Sequence, residues 1–238
     1  MAWVAGVDGC SFGWLAVLHE TSTGARISHC KKSFAEILEL PENPQVIAVD
    51  MPIGLADEAI RGGRICDGSA RKMLGRIRGS SVFSSPVRAA LAHTLDYASA
   101  NCANRKSSTQ EIGLSRQSFG ILRKIKEVDE LMSAEIQNRV FEVHPELCFY
   151  EMNGSKPIES GKRSSAGAAE RRRLLEGIGF RAFLQSKTDC LGSEAALDDL
   201  LDASAACWSA RRIMEKTAVA IPENSSLDAK SLRMQIWR

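Results

Sequence analysis

Two short apolar runs, Trp3–Val7 and Trp14–Leu18, flank a linker that opens with Asp8. Runs of this length, rich in Val and Trp and bounded by glycine, predict two buried strands joined by a tight hairpin. Arg26–Lys31 follows as a third strand, its polar alternation indicating one wetter face. Ser33 then has the chemistry of an N-cap for a short helix over Phe34–Leu40, stopped by Pro41 and Pro44. A fourth apolar run, Val46–Val49, ends on Asp50. Three hairpin-connected strands, a helical crossover and a fourth strand predict a mixed sheet whose fourth strand runs parallel to the first. Asp8 and Asp50 then finish neighbouring strands at one sheet edge, where functional carboxylates of α/β proteins gather.

Beyond Asp50 the apolar period weakens. Residues 52–114 read as an irregular, basic and partly helical insertion after the fourth strand, with the polar tract Thr94–Gly113 as a loop. Helical spacing returns over Ser115–Ile136, where Phe119, Leu122, Ile125, Val128 and Met132 share a stripe. Arg139–Phe149 begins as a strand, with Val140, Glu142 and His144 on one face. A mid-strand Glu is costly when buried and unpaired, so Glu142 faces either solvent or a cation. His144, just before a proline, reads as a hydrogen-bonding structural residue. Residues 150–192 form a second insertion, in which Arg171–Arg173 open a helix that ends near Gly177–Gly179. Ser193 is an expected N-cap, and Glu194 opens a long helix to about Lys216. Asp199 and Asp202 lie three residues apart on one of its faces, a like-charge pair that needs a cation or solvent beside it. Ala218–Ile221 and Leu232–Trp237 read as short terminal strands.

Composition narrows the class. With 238 residues, 44% of them hydrophobic, the chain has enough apolar surface for one sizeable domain with insertions. No apolar run reaches the roughly 18 residues of a membrane helix, and the N-terminus lacks a signal-peptide pattern, so the expected compartment is the cytoplasm. Seven cysteines occur without a CxxC pair, the pattern of reduced, buried thiols. A net charge of +2 does not mark a nucleic-acid binder, but its distribution changes that picture. Arg61–Leu91 carries seven basic residues against one acid, and a second basic stretch contains Lys162. A basic lobe beside a carboxylate cluster suits a polyanionic substrate. Arg71, Arg76, Arg78, Arg88 and Lys162 are the candidate phosphate contacts.

Acids ending the first and fourth strands, with an acidic pair on a late helix, are the donor chemistry of a divalent-cation site. That order of elements resembles the ribonuclease H-like fold. The Asp199-x-x-Asp202-Ala203 spacing is similar to that of the Holliday-junction resolvase branch. GVDGC-x-x-GW at Gly6–Trp14, AVDMPIGL at Ala48–Leu55, the Arg64-Cys66-Asp67-Ala70-Arg71 cluster, SSVFSSPVR, EVHPELCF and DDLLDA together resemble domain of unknown function 429, described as a predicted nuclease of ribonuclease H fold. The resemblance implies an α/β fold with a mixed five-stranded sheet and helices on both faces. It further implies a metal-dependent nuclease using Mg or Mn. Asp8, Asp50 and Asp202 match the superfamily acids, and Asp199 and Glu142 complete the candidate catalytic and metal-binding set. No Glu follows Asp50 on a regular helix, where some relatives place a ligand, and Glu142 is the candidate replacement.

Two other readings stay open. An actin-like phosphotransferase shares the core but needs a second copy of it and a later phosphate loop, and this chain is too short for both. A non-catalytic module of the same fold would use its basic lobes to hold nucleic acid or a protein. The expected partner is nucleic acid, with no membrane and with a homodimer as an open assembly.

Overall fold

The computed structural model of the chain describes residues 1–162, 164–186, 192 and 194–238. The backbone divides into two compact units. The first takes Met1–Asp50, Arg139–Val219 and Trp237–Arg238, and the second takes Met51–Asn138 and Ala220–Ile236. The 52–114 stretch therefore lies in the second unit, and the described residues of 150–192 lie in the first.

The first unit is built on a five-stranded mixed sheet of β1 (Trp3–Gly9), β2 (Trp14–Glu20), β3 (Arg26–Lys31), β4 (Val46–Val49) and β5 (Val140–Glu142), in the order β3-β2-β1-β4-β5. β1 and β2 form the expected hairpin, with Trp3 opposite Glu20 and Gly9 opposite Trp14. The turn closes through Cys10 N–H donating to the Gly13 carbonyl at 3.0 Å. β4 lies parallel to β1, Val4 beside Val46 and Val7 beside Val49, as the crossover rule predicts. The crossover carries helix α1 (Phe34–Leu38), whose N-cap is Ser33, with Glu36 returning the bond to the Ser33 N–H. Phe34 packs on Trp14, with ring centroids 5.0 Å apart, and so covers one face of the sheet.

In the second unit the sequence pattern underestimated order. Helix α2 (Ile65–Arg78) is broken at Gly75, whose φ of 60° no helix accommodates. The tract expected as a loop contains helix α3 (Tyr97–Lys106). Its start is set by Asp96, whose carboxylate accepts the Ala98 and Ser99 N–H groups. A polar helix of this kind has no apolar stripe to reveal it; its cap does. The amphipathic stretch expected as one helix is two, α4 (Arg116–Gly120) and α5 (Leu122–Leu131), separated where Ile121 leaves helical geometry.

The chain re-enters the first unit at Arg139 and makes β5, then helix α6 (Pro145–Met152). His144 caps α6, its Nδ1 accepting the Glu146 N–H at 3.2 Å, which is the structural role expected of it. Helix α7 (Ser165–Leu175) starts a turn and a half before the predicted arginines because Ser164 caps it. A π-helical turn over Glu176–Phe180 leads into α8 (Arg181–Gln185). The last helix, α9, runs Leu197–Met214 and not from Glu194, because the Asp199 carboxylate accepts the Ala196 N–H at 2.9 Å and sets the first turn there. The expected cap, Ser193, lies outside the described residues. α9 crosses the sheet face opposite α1, over Val4, Leu15, Val17, Val46 and Ala48. It sits so close to β1 that a Cβ on Gly6 would stand 1.9 Å from the Cys207 nitrogen. Two-residue strands, β6 (Ala220–Ile221) and β7 (Ile236–Trp237), close the chain. Among the described residues, no helix is long and apolar enough to cross a membrane.

Candidate functional site

The pleat of β1 and β4 decides where their terminal acids point. Successive side chains alternate faces, so Gly6 and Asp8 share one face, as do Ala48 and Asp50. Gly6 meets Ala203 and Cys207 of α9, which puts both acids on the α9 side of the sheet. The Asp50 N–H donates to the Val7 carbonyl at 3.0 Å, extending the parallel register one residue past β4 and bringing Asp50 alongside Asp8. Asp202, on the second turn of α9 and 3% exposed, joins them from above. Asp8 is 7% exposed, and its Oδ1 accepts the Gly9 N–H at 2.8 Å.

Electrostatics shows that these groups feel one another. Burial, then Asp50 and Asp202, push Asp8 well above the ordinary carboxylate range. Burial and Glu146 raise Asp50 to about 7 against the pull of Lys162. Burial raises Asp202 to about 6; Lys162 opposes the shift, and Asp50 and Glu146 add to it. Lys162 forms an ion pair with Asp202 and lies 3.8 Å from Asp198. Burial works against its ammonium, but Asp202, Asp8 and Asp50 outweigh burial and hold it protonated. Asp199 adds to the field at Asp8, and its carboxylate forms the cap described above.

One acid takes the place expected of another. Glu142 pairs with Val49 while Phe141 pairs with Ala48, so pleat alternation puts Glu142 on the sheet face away from Asp8, Asp50 and Asp202. Glu146, four residues on, enters the centre electrostatically from the first turn of α6. It forms an ion pair with Arg171, which is 1% exposed and also donates to the Gly167 carbonyl at 3.1 Å. The sequence signal for Glu146 was the His-Pro-Glu start of a helix, where Pro at the first position presents the next residue at a fixed angle. Nothing local separates Arg171 from Arg172 and Arg173; only packing selects it.

The candidate phosphate contacts are dispersed. Lys162 belongs to the carboxylate centre. Arg76 is exposed and Arg78 half-buried in the last turn of α2. Arg71 donates Nη1 to the Val82 carbonyl at 2.8 Å. Arg88 is held between Asp129 and Asp228, so its charge is spent inside the second unit.

A family model described as Protein of unknown function (DUF429) matches residues 6–226. The chain belongs to this family. No curated protein matches it, and no solved structure does. The DUF429 match includes all of Asp8, Asp50, Glu146, Lys162, Arg171 and Asp202.

The donor chemistry of the DUF429 centre fits a hard divalent cation, since buried carboxylates in excess of their cations are what Mg and Mn bind. Among the described residues, Asp8, Asp50, Asp202 and Glu146 outnumber Lys162 and Arg171 there. Among the described residues, no three His, Cys, Asp or Glu side chains are spaced to close on one ion, and Lys162 holds Asp202.

Proposed function

We propose that this DUF429 protein is a divalent-metal-dependent nuclease, with a ribonuclease H-like fold in its first unit. The observation that carries the reading is the meeting of Asp8, Asp50 and Asp202 on one sheet face, each held above its ordinary pKa. Carboxylates so crowded favour any added positive charge, and the order first strand, fourth strand, last helix is the one the resemblance implies. Asp8, Asp50 and Asp202, which are not spaced here to close on one ion, would draw together to hold Mg or Mn, and the ion would supply an activated water and stabilise charge on a phosphodiester. Lys162 has two roles: it neutralises Asp202 in the absence of metal and offers an ammonium to a phosphate oxygen when metal takes the carboxylate. Glu146, fixed by Arg171, positions the centre and keeps its field negative. Arg76 and Arg78 would add salt-dependent, sequence-independent contacts to a nucleic-acid backbone.

One observation favours the second reading, a non-catalytic module: an ammonium that already pairs with Asp202 can satisfy the centre without metal. A cleavage assay with Mg or Mn on single-stranded, duplex, hybrid and branched substrates separates the two. Asp8→Asn and Asp50→Asn should each lower cleavage by at least about a hundredfold while the fold persists. Wild-type cleavage in the double variant, or no cleavage of any substrate by the unaltered protein, would sink the nuclease reading.

A further inference from the structure

The second unit contains a cavity of about 350 Å³ that the carboxylate chemistry does not use. Its size is at the lower end of the range that small-molecule sites occupy. The two arginines on its wall differ in one respect. Arg64 is 4% exposed and saturated: it donates to Asp67 through Nε and Nη2, and to the Ile53 and Gly54 carbonyls through Nη1. Asp67 also accepts the Arg64 and Ser85 N–H groups, so the two loops around the cavity are fastened to one carboxylate. Arg71 has no such partner. Its Nη1 is fixed on the Val82 carbonyl, and among the described residues no carboxylate pairs with it. Its Nη2 is buried with no hydrogen-bond acceptor, 3.5 Å from where a Cβ on Gly62, itself part of the wall, would stand.

A guanidinium cannot shed its charge, so a buried Nη2 without an acceptor is a standing cost that an oxyanion would remove. The surroundings specify more than a charge. Ser80 and Ser84 are among the residues that line the same cavity, as are the apolar residues Val82, Phe83 and Leu114. Hydroxyl donors beside one guanidinium suit a tetrahedral group with three terminal oxygens better than a planar carboxylate, and the apolar wall suits an organic body attached to it. We propose that this cavity is a binding site for a small organic phosphate monoester, with Arg71 as the residue that holds the phosphate. The site stands apart from the proposed nuclease chemistry and does not depend on it.

Calorimetric titration of the full chain with phenyl phosphate, inorganic phosphate and benzoate tests this. Phenyl phosphate should bind at least tenfold more tightly than either of the others. Arg71→Gln, which keeps an amide donor for Val82, should lose at least tenfold in affinity for phenyl phosphate, whereas Asp8→Asn should bind it as the wild type does. Amide chemical-shift mapping on the unaltered protein provides a readout that survives a misfolded Arg71 variant, with the Gly62, Gly63 and Ser84 signals expected to move. No binding of phenyl phosphate, shifts confined to other residues, or a folded Arg71→Gln that binds unchanged would each overturn the assignment. Benzoate binding as tightly as phenyl phosphate would overturn the phosphate monoester as ligand, and loss of binding in Asp8→Asn would move the ligand to the carboxylate centre.

Discussion

The two units handle buried acids in opposite ways. In the second, among the described residues, the buried acids Asp67 and Asp129 each face a basic partner. Burial alone would raise Asp67, but Arg64 and two backbone N–H groups more than compensate, so its carboxyl lies below its ordinary value. Asp129 and Asp228 close on Arg88 from either side, Lys230 lies 3.7 Å from Asp129, and Asp228 also accepts the Leu55 and Leu232 N–H groups. In the first unit, Asp8, Asp50 and Asp202 are pushed the other way, with Lys162 too little to offset burial and mutual repulsion. Matched charge organises loops; unmatched charge stores a free-energy cost that a ligand of opposite sign can recover. The contrast is the physical ground for proposing a binding centre in the first unit.

The sharpest way to break the contrast is Asp67→Ala, which leaves Arg64 buried without its carboxylate. Stability should fall by about 3–5 kcal/mol, the usual result of orphaning one member of a buried pair, and hydrogen exchange should quicken first in α2. An effect under about 1 kcal/mol would mean that Arg64 and Asp67 are not the fastening they resemble.

Acid and base should also act on different units. Asp50 and Asp202 have folded pKa values raised to about 7 and about 6, so the stability linked to them is complete below pH ~4 and is lost as pH rises through those values. For Asp50 alone that loss is at most about 4 kcal/mol, at 1.36 kcal/mol per unit of pKa. Asp67, held low, contributes stability above its unfolded pKa and loses it as pH falls. In chelator, amides of β1 and β4 should therefore exchange faster at pH 8 than at pH 5, after correction for intrinsic rates, and amides of α2 should not. The same direction of change in both units would contradict the comparison.

A smaller effect should come from supplying the missing positive charge. Mn or Mg at about a hundred times its dissociation constant should stabilise the wild type by about 2.7 kcal/mol at pH 8. Asp50→Asn removes one repelling charge and one ligand, so its metal-free form should melt no lower than wild type, while its response to metal shrinks. A wild-type melting temperature that millimolar Mn leaves unchanged would remove the metal from the proposal.

The smallest is expected at Lys162. Lys162→Met removes the ammonium that lowers Asp202, so that carboxyl should titrate higher, and the pH window over which the first unit loosens should extend upward with a larger total loss. The shift reads directly from the same exchange profile. No change would mean that Lys162 and Asp202 interact more weakly than their geometry implies.

What the sequence determined by itself is local or short in reach. The β1–β2 hairpin, the Ser33 cap and the parallel placement of β4 follow from apolar runs, turn residues and the handedness of a short crossover. Those rules bring Asp8 beside Asp50. Asp202 was legible because three-residue spacing on a helix is itself a geometric statement. Tertiary structure alone decided the rest. Which face of β5 meets α9 depends on the pairing of β5 with β4, and that register puts Glu142 on the wrong side and leaves Glu146 to enter the centre. Among three consecutive arginines, only packing buries Arg171 against Glu146. Arg88 and Asp228 are 140 residues apart in sequence, and no pattern along the chain announces that they meet. Periodicity records which residues leave water, whereas the pairing of charges depends on contacts that form only once the chain has folded.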